Sequence, residues 1–252
     1  MRELTAAAVT LMAGLGTVLA AESPDCALAA HLAAASEYPL PRVAVAVDRA
    51  RTLDIVVMGA GSSTLAGPGG TDLAYPARLQ IVLSKRFPDV KTKVVTNVKS
   101  RRSAAEMTEG FDKVLTEEKP VLVIWQSGTV DAITGVDPDD YRATLEEGVQ
   151  LLQAGGADVV LVNMQYSPRT ESMIAIQAYA DNMRLVAQHR EVPLLDRFAI
   201  MRHWSESGTF DLSTATRKLE TAARIHDCLA QLLADVIRDG IKLSRDQPKP
   251  IQ

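Results

Sequence analysis

The chain has 252 residues, enough for one α/β domain with a large core. It is 47% hydrophobic, only 4% aromatic, and carries a formal net charge of −4. That balance speaks against a nucleic-acid binder: the one basic cluster, Lys99-Ser-Arg-Arg102, is short and reads as a solvated loop.

The first twenty residues read as a cleaved secretory signal. Met1-Arg-Glu precedes an apolar stretch from Leu4 to Leu19, and Val18-Leu-Ala20 has the small-residue cleavage pattern. An uncleaved anchor is the competing reading, for which the run is short. No other segment has the length to span a bilayer, so the mature chain is expected in the periplasm or outside the cell. Both cysteines, Cys26 and Cys228, survive cleavage. An oxidising compartment favours their pairing over two buried thiols, and the bridge closes a loop of about 200 residues.

An arm over residues 21–52 follows, with short helices at 27–35 and 42–51 around Pro39 and Pro41. Strands are predicted at 53–58, 93–97, 120–126, 158–164 and 192–196 from nearly continuous Val/Ile/Leu runs, the mark of a sheet covered on both faces. Helices are predicted at 71–87, 104–117, 139–154, 171–189 and 217–239, with Gly155-Gly156 as a stop signal. This alternation predicts an α/β fold: a three-layer, doubly wound, five-stranded and mainly parallel sheet over residues 53–240. Residues 241–252 are predicted to be a disordered tail.

Ligands collect at the carboxyl ends of such strands, so chemistry is expected in loops 59–70, 97–103, 127–137, 165–169 and 197–212. In the first, Gly59-Ala-Gly61 ends a strand and is followed by Ser62, Ser63 and Gly67. The glycine spacing fits neither a dinucleotide fingerprint nor a phosphate-binding P-loop. The histidines and cysteines lack metal-ligand spacing, and neither metal nor cofactor is expected. The turn presents a serine hydroxyl, although Ser63 also suits a plain turn or helix-cap role.

Taken in order, these loops resemble the blocks of the SGNH (GDSL-type) hydrolases, esterases and acyl hydrolases on a flavodoxin-like sheet. Gly61-Ser-Ser-Thr-Leu-Ala-Gly67 resembles their Gly-Asp-Ser-x-Thr-x-Gly block in length, with Ser63 at the nucleophile and Ser62 at the Asp. The stretch from Val121 to Asp131 resembles the block ending Gly-Thr-Asn-Asp, with Gly128 and Asp131 matched and Val130 at the Asn. Tyr75-Pro-Ala-Arg-Leu and Arg197-Phe-Ala-Ile-Met-Arg-His-Trp204 are similar to exported bacterial members, as are the two cysteine positions.

The resemblance implies serine ester hydrolysis, in which a histidine takes the serine proton and an Asp orients it. Here the family's Asp-x-x-His block aligns with Arg217-Lys-Leu-Glu220. The loop after the second strand has no glycine to complete an oxyanion hole, leaving Lys99, Arg101 or Arg102 to supply positive charge. Of the four histidines, His31 and His189 read as surface residues. His203 and His226 are the substitute bases, with Asp211 or Asp131 to orient them or to serve as loop and cap residues. Two functions follow: an ester hydrolase acting on a cell-envelope carbohydrate or lipid, or a silent relative that binds a glycan or protein in the same cleft.

Overall fold

The computed structural model describes Cys26, Leu28, Leu32, residues 37–213 and residues 219–246. The expected signal segment, most of the 27–35 helix and the tail from 247 lie outside the described residues. Five parallel strands form one sheet in the order β2-β1-β3-β4-β5. They are β1 (Thr52–Gly59), β2 (Lys91–Val98), β3 (Leu122–Gln126), β4 (Asp158–Val162) and β5 (Leu194–Leu195). Every residue of β3 and β4 is buried, which explains their uninterrupted apolar runs. β2 lies at the edge and is only half covered.

Strand order reverses between β1 and β3, so the crevice at their carboxyl ends is the topological switch point. The two strands are in register from Ile55 opposite Leu122 to Met58 opposite Trp125. The segments after Gly59 and at Gln126 therefore emerge side by side.

The helices are α1 (Pro41–Val45, continuing as a π turn over Ala46–Ala50), α2 (Gly70–Leu73), α3 (Tyr75–Arg86), α4 (Ala104–Thr108), α5 (Phe111–Lys113, continuing as a π turn over Val114–Glu118), α6 (Thr129–Thr134), α7 (Pro138–Ala154), α8 (Pro168–Met173), α9 (Gln177–His189), α10 (Arg197–Glu206) and α11 (Leu219–Asp246). Trp125 anchors the core, with Phe111 edge-on at 4.9 Å. Gly148 on α7 leaves room for the indole: a Cβ there would stand 2.6 Å from its ring. Asp158 caps α1 by accepting from the Arg42 and Val43 amides at 2.8 and 3.0 Å. A Cys26–Cys228 disulfide ties the arm to α11, with Cα atoms 5.2 Å apart.

The helical boundaries differ from the sequence reading: the 104–117 helix breaks after Thr108 and ends in a π turn, and the 127–137 loop carries α6. The 71–87 helix is two, because Ala74 is extended and α3 restarts with Pro76 in its first turn. The 171–189 helix also breaks, at extended Ile174. The 197–212 segment, read as a loop, is helical over Arg197–Glu206, with the Asp196 side chain accepting from the Ala199 amide. Finally, α11 runs to Asp246 and buries Ile241, six residues beyond the point where a disordered tail was expected to begin.

Candidate active site

β1 delivers its serines through a 3-10 turn, Gly61–Ser63, closed by the Ser63 amide on the Ala60 carbonyl at 2.9 Å. Gly59 permits the turn: a Cβ there would stand 2.3 Å from Ser63 Oγ. Ser63 is fully buried at 0% exposure. Its hydroxyl donates to Gln126 Oε1 at 2.5 Å and lies 3.0 Å from the Tyr75 hydroxyl. Serine has a single proton, so Tyr75 is the donor in that second contact. Ser62, half-buried, donates to the same Gln126 oxygen at 3.1 Å. An amide oxygen accepts hydrogen bonds without taking up a proton at neutral pH, so Gln126 is no general base.

Behind the pair stand Arg197 and His226. Arg197 Nη1 donates to the Ser62 carbonyl at 3.0 Å and Nη2 to Gln165 Oε1 at 3.3 Å. Burial pulls the guanidinium down to about 10, with Tyr75 acting in the opposite sense. His226 Nδ1 accepts from the Tyr75 amide at 2.9 Å, so the neutral ring carries its proton on Nε2. Burial, aided by the nearby Arg197, lowers His226 to about 3. Tyr75, whose ring lies 5.7 Å from the imidazole, spans the space between, with its amide on His226 and its hydroxyl on Ser63. Burial raises its phenol, which stays protonated and is also no base. Among the described residues no hydrogen bond joins a histidine to Ser62 or Ser63.

The remaining expected residues lie elsewhere. Asp131 is buried and accepts from the Ala104 amide at 2.8 Å and the Gly128 amide at 3.2 Å, joining α4 to α6. Gly128 has φ +103, and a Cβ there would stand 2.4 Å from Met164 Cε. Both residues hold the loop rather than offering donors to a ligand. Val130 packs against the core and has no side-chain donor. His203 is half-buried on α10, and the exposed Asp211 accepts from the Ser213 amide and hydroxyl. Glu220 is exposed at the start of α11, where a carboxylate favours the helix dipole. Arg217 lies outside the described residues. Arg102 donates to the Glu106 carbonyl at 2.7 Å, while Lys99 and Arg101 are exposed. The cation at the serine pair is Arg197 instead.

The sequence reading missed Gln126, Arg197 and the connecting part of Tyr75. It also missed a registration signal. Matching the family block on Thr64 rather than on the flanking glycines places Ser62, two residues before it, at the nucleophile.

A five-stranded parallel sheet with a serine turn after β1 defines an SGNH-type hydrolase fold, and solved structures agree. The chain superposes on TesA with a TM-score of 0.55 at 23% identity, covering 71% of this chain and 97% of that one. A psychrotrophic esterase, EstA from Pseudoalteromonas sp., gives 0.56 at 16% identity over 73% and 96%. A catalytic mutant of Axe2, an acetylxylan esterase from Geobacillus stearothermophilus, gives 0.58 at 16% identity over 73% and 93%. Among curated proteins there is no match. The model of the Non-GDSL lipase-like family matches residues 25–243, and the chain belongs to that family.

Proposed function

We propose that this protein cleaves small-molecule esters, an acyl or O-acetyl group on a cell-envelope carbohydrate or lipid, at the serine pair after β1. The carrying observation is the pair itself. Two hydroxyls share Gln126 Oε1 at the switch point of an SGNH-type sheet. Ser62 is the attacking group in this reading, because Ser63 is fully buried with both its partners inside the protein. Ser62 Oγ adds to the acyl carbonyl and its proton passes to water. The C–O bond to the alcohol breaks as water returns that proton to the leaving oxygen, and a second water then hydrolyses the acyl-serine, releasing the acid and restoring the Ser62 hydroxyl.

The reaction is slow. A general base contributes ~10²–10⁴ and an oxyanion donor ~10²–10³, and the described residues supply neither a proton acceptor for Ser62 nor the side-chain donor missing at Val130. Export to the periplasm or beyond is supported by the Cys26–Cys228 bridge. Among the described residues no helix is long and apolar enough to cross a membrane.

A second reading, a silent module that binds a glycan or protein, has one observation in its favour: His226, packed against Tyr75, is committed to the Tyr75 amide. Turnover of p-nitrophenyl acetate by the mature protein separates the two. A slow rate that falls to the buffer rate in Ser62→Ala supports hydrolysis. A rate unchanged in Ser62→Ala, or none in the wild type, sinks it.

A further inference from the structure

We propose that the crevice at the carboxyl ends of β1 and β3 binds a ligand through a carboxylate, held by the Arg197 guanidinium. The inference shares its place with the proposed ester site, but stands without turnover.

Arg197 is the most deeply buried cation described, at 1% exposure. Its two polar contacts are neutral oxygens, the Ser62 carbonyl and Gln165 Oε1. Its Nε is buried without a partner. By contrast Arg42 meets Asp158, Arg86 meets Asp235, and Arg184 meets Asp181 and Asp196. Among the described residues no carboxylate reaches Arg197, and its titratable neighbours are the protonated phenol of Tyr75 and the neutral imidazole of His226. A buried charge facing only dipoles is costly to keep, and a bound anion removes that cost.

Two neighbours point the same way. Gln126 Nε2 is a second fully buried donor without a partner, on the same amide that holds both serines. His226, neutral, has its remaining proton on Nε2 and is close enough to Arg197 to feel its charge. The cluster therefore has two N–H donors without a partner, Arg197 Nε and Gln126 Nε2, and no anion. A carboxylate matches a guanidinium fork in shape and charge. The ligand class is accordingly an organic acid, or an ester whose carbohydrate or acyl portion carries a free carboxylate.

The test is binding, read by thermal shift and by the His226 imidazole resonances. The full mature protein is titrated with acetate and D-glucuronate, then with acetamide and methyl D-glucuronate, at ionic strength fixed by sodium chloride. The acids are expected to bind at least about tenfold more tightly than their neutral counterparts, the margin of a charge-assisted hydrogen bond, and to move the His226 resonances. Arg197→Met should abolish the difference. Equal responses to acid and neutral probes in the wild type overturn the proposal, and so does an acid preference that persists in folded Arg197→Met. The wild-type arm decides alone if that variant does not fold. Acid binding without ester turnover supports this inference while removing the hydrolytic one.

Discussion

The sheet ends in two polar clusters that are built on opposite principles. Beyond β4 and β5, Asn163 donates to Asp196 Oδ1 at 2.8 Å and accepts from the Phe198 amide at 2.8 Å. Asp196 also takes the Ala199 amide and Arg184 Nε, at 3.0 and 2.6 Å. Burial works against its charge, but the bonds from Arg184, Asn163 and Ala199 outweigh it and hold the carboxyl below its ordinary range. Beyond β1 and β3, Ser62, Ser63, Gln126, Tyr75, Arg197 and His226 form a cluster with a cation, no carboxylate and two unpartnered N–H groups. The Asn163–Asp196 cluster is fully paired, whereas the serine cluster leaves Arg197 Nε and Gln126 Nε2 without partners. The unmet donors at the serine pair mark the place where something outside the chain belongs.

The largest expected effect comes from breaking the satisfied cluster. Asp196→Ala leaves Arg184, Asn163 and the start of α10 without their acceptor, and urea unfolding should report a loss of about 3 kcal/mol. The next concerns His226. Its folded value, about 3, lies below the ordinary 6.5, so the unfolded chain takes up the proton first. The stability contributed by the neutral buried ring is complete above pH 6.5 and is lost as pH falls towards 3, on the order of a few kcal/mol in all. Denaturation midpoints for His226→Gln should fall less steeply across that window than those of the wild type.

A smaller loss, about 1–2 kcal/mol, is expected for Ser63→Ala, which strips a donor from Gln126 and an acceptor from Tyr75. Smallest is Ser62→Ala, below about 1 kcal/mol by the same urea measurement, because its hydroxyl is half-buried and has one contact. If Ser62→Ala proved the more damaging of the two, the division between a structural and an available serine would be lost.

Much of the fold was readable in the chain because buried parallel strands are written as local apolar runs such as Leu53–Met58 and Asp158–Val162. Even the missed helix α10 had its signal. Phe198, Met201 and Trp204 are buried at helical spacing behind the Asp196 cap. The site was less legible. The partners of the serine pair come from 12, 63 and 135 residues away, at Tyr75, Gln126 and Arg197, and only folding brings them together. For Asp131 the sequence left a family acid and a cap residue side by side; the two amides it accepts are those of a cap. The serine block allows two registers, and the proposed reading takes Ser62 because Ser63 is fully buried.

The most direct test of the account is labelling of the mature protein with a fluorophosphonate, with the modified peptide identified by mass spectrometry. The account expects slow labelling confined to Ser62, lost in Ser62→Ala and retained in Ser63→Ala. Rapid labelling of Ser63 would contradict it, since that requires an exposed hydroxyl and a base that the described cluster does not contain.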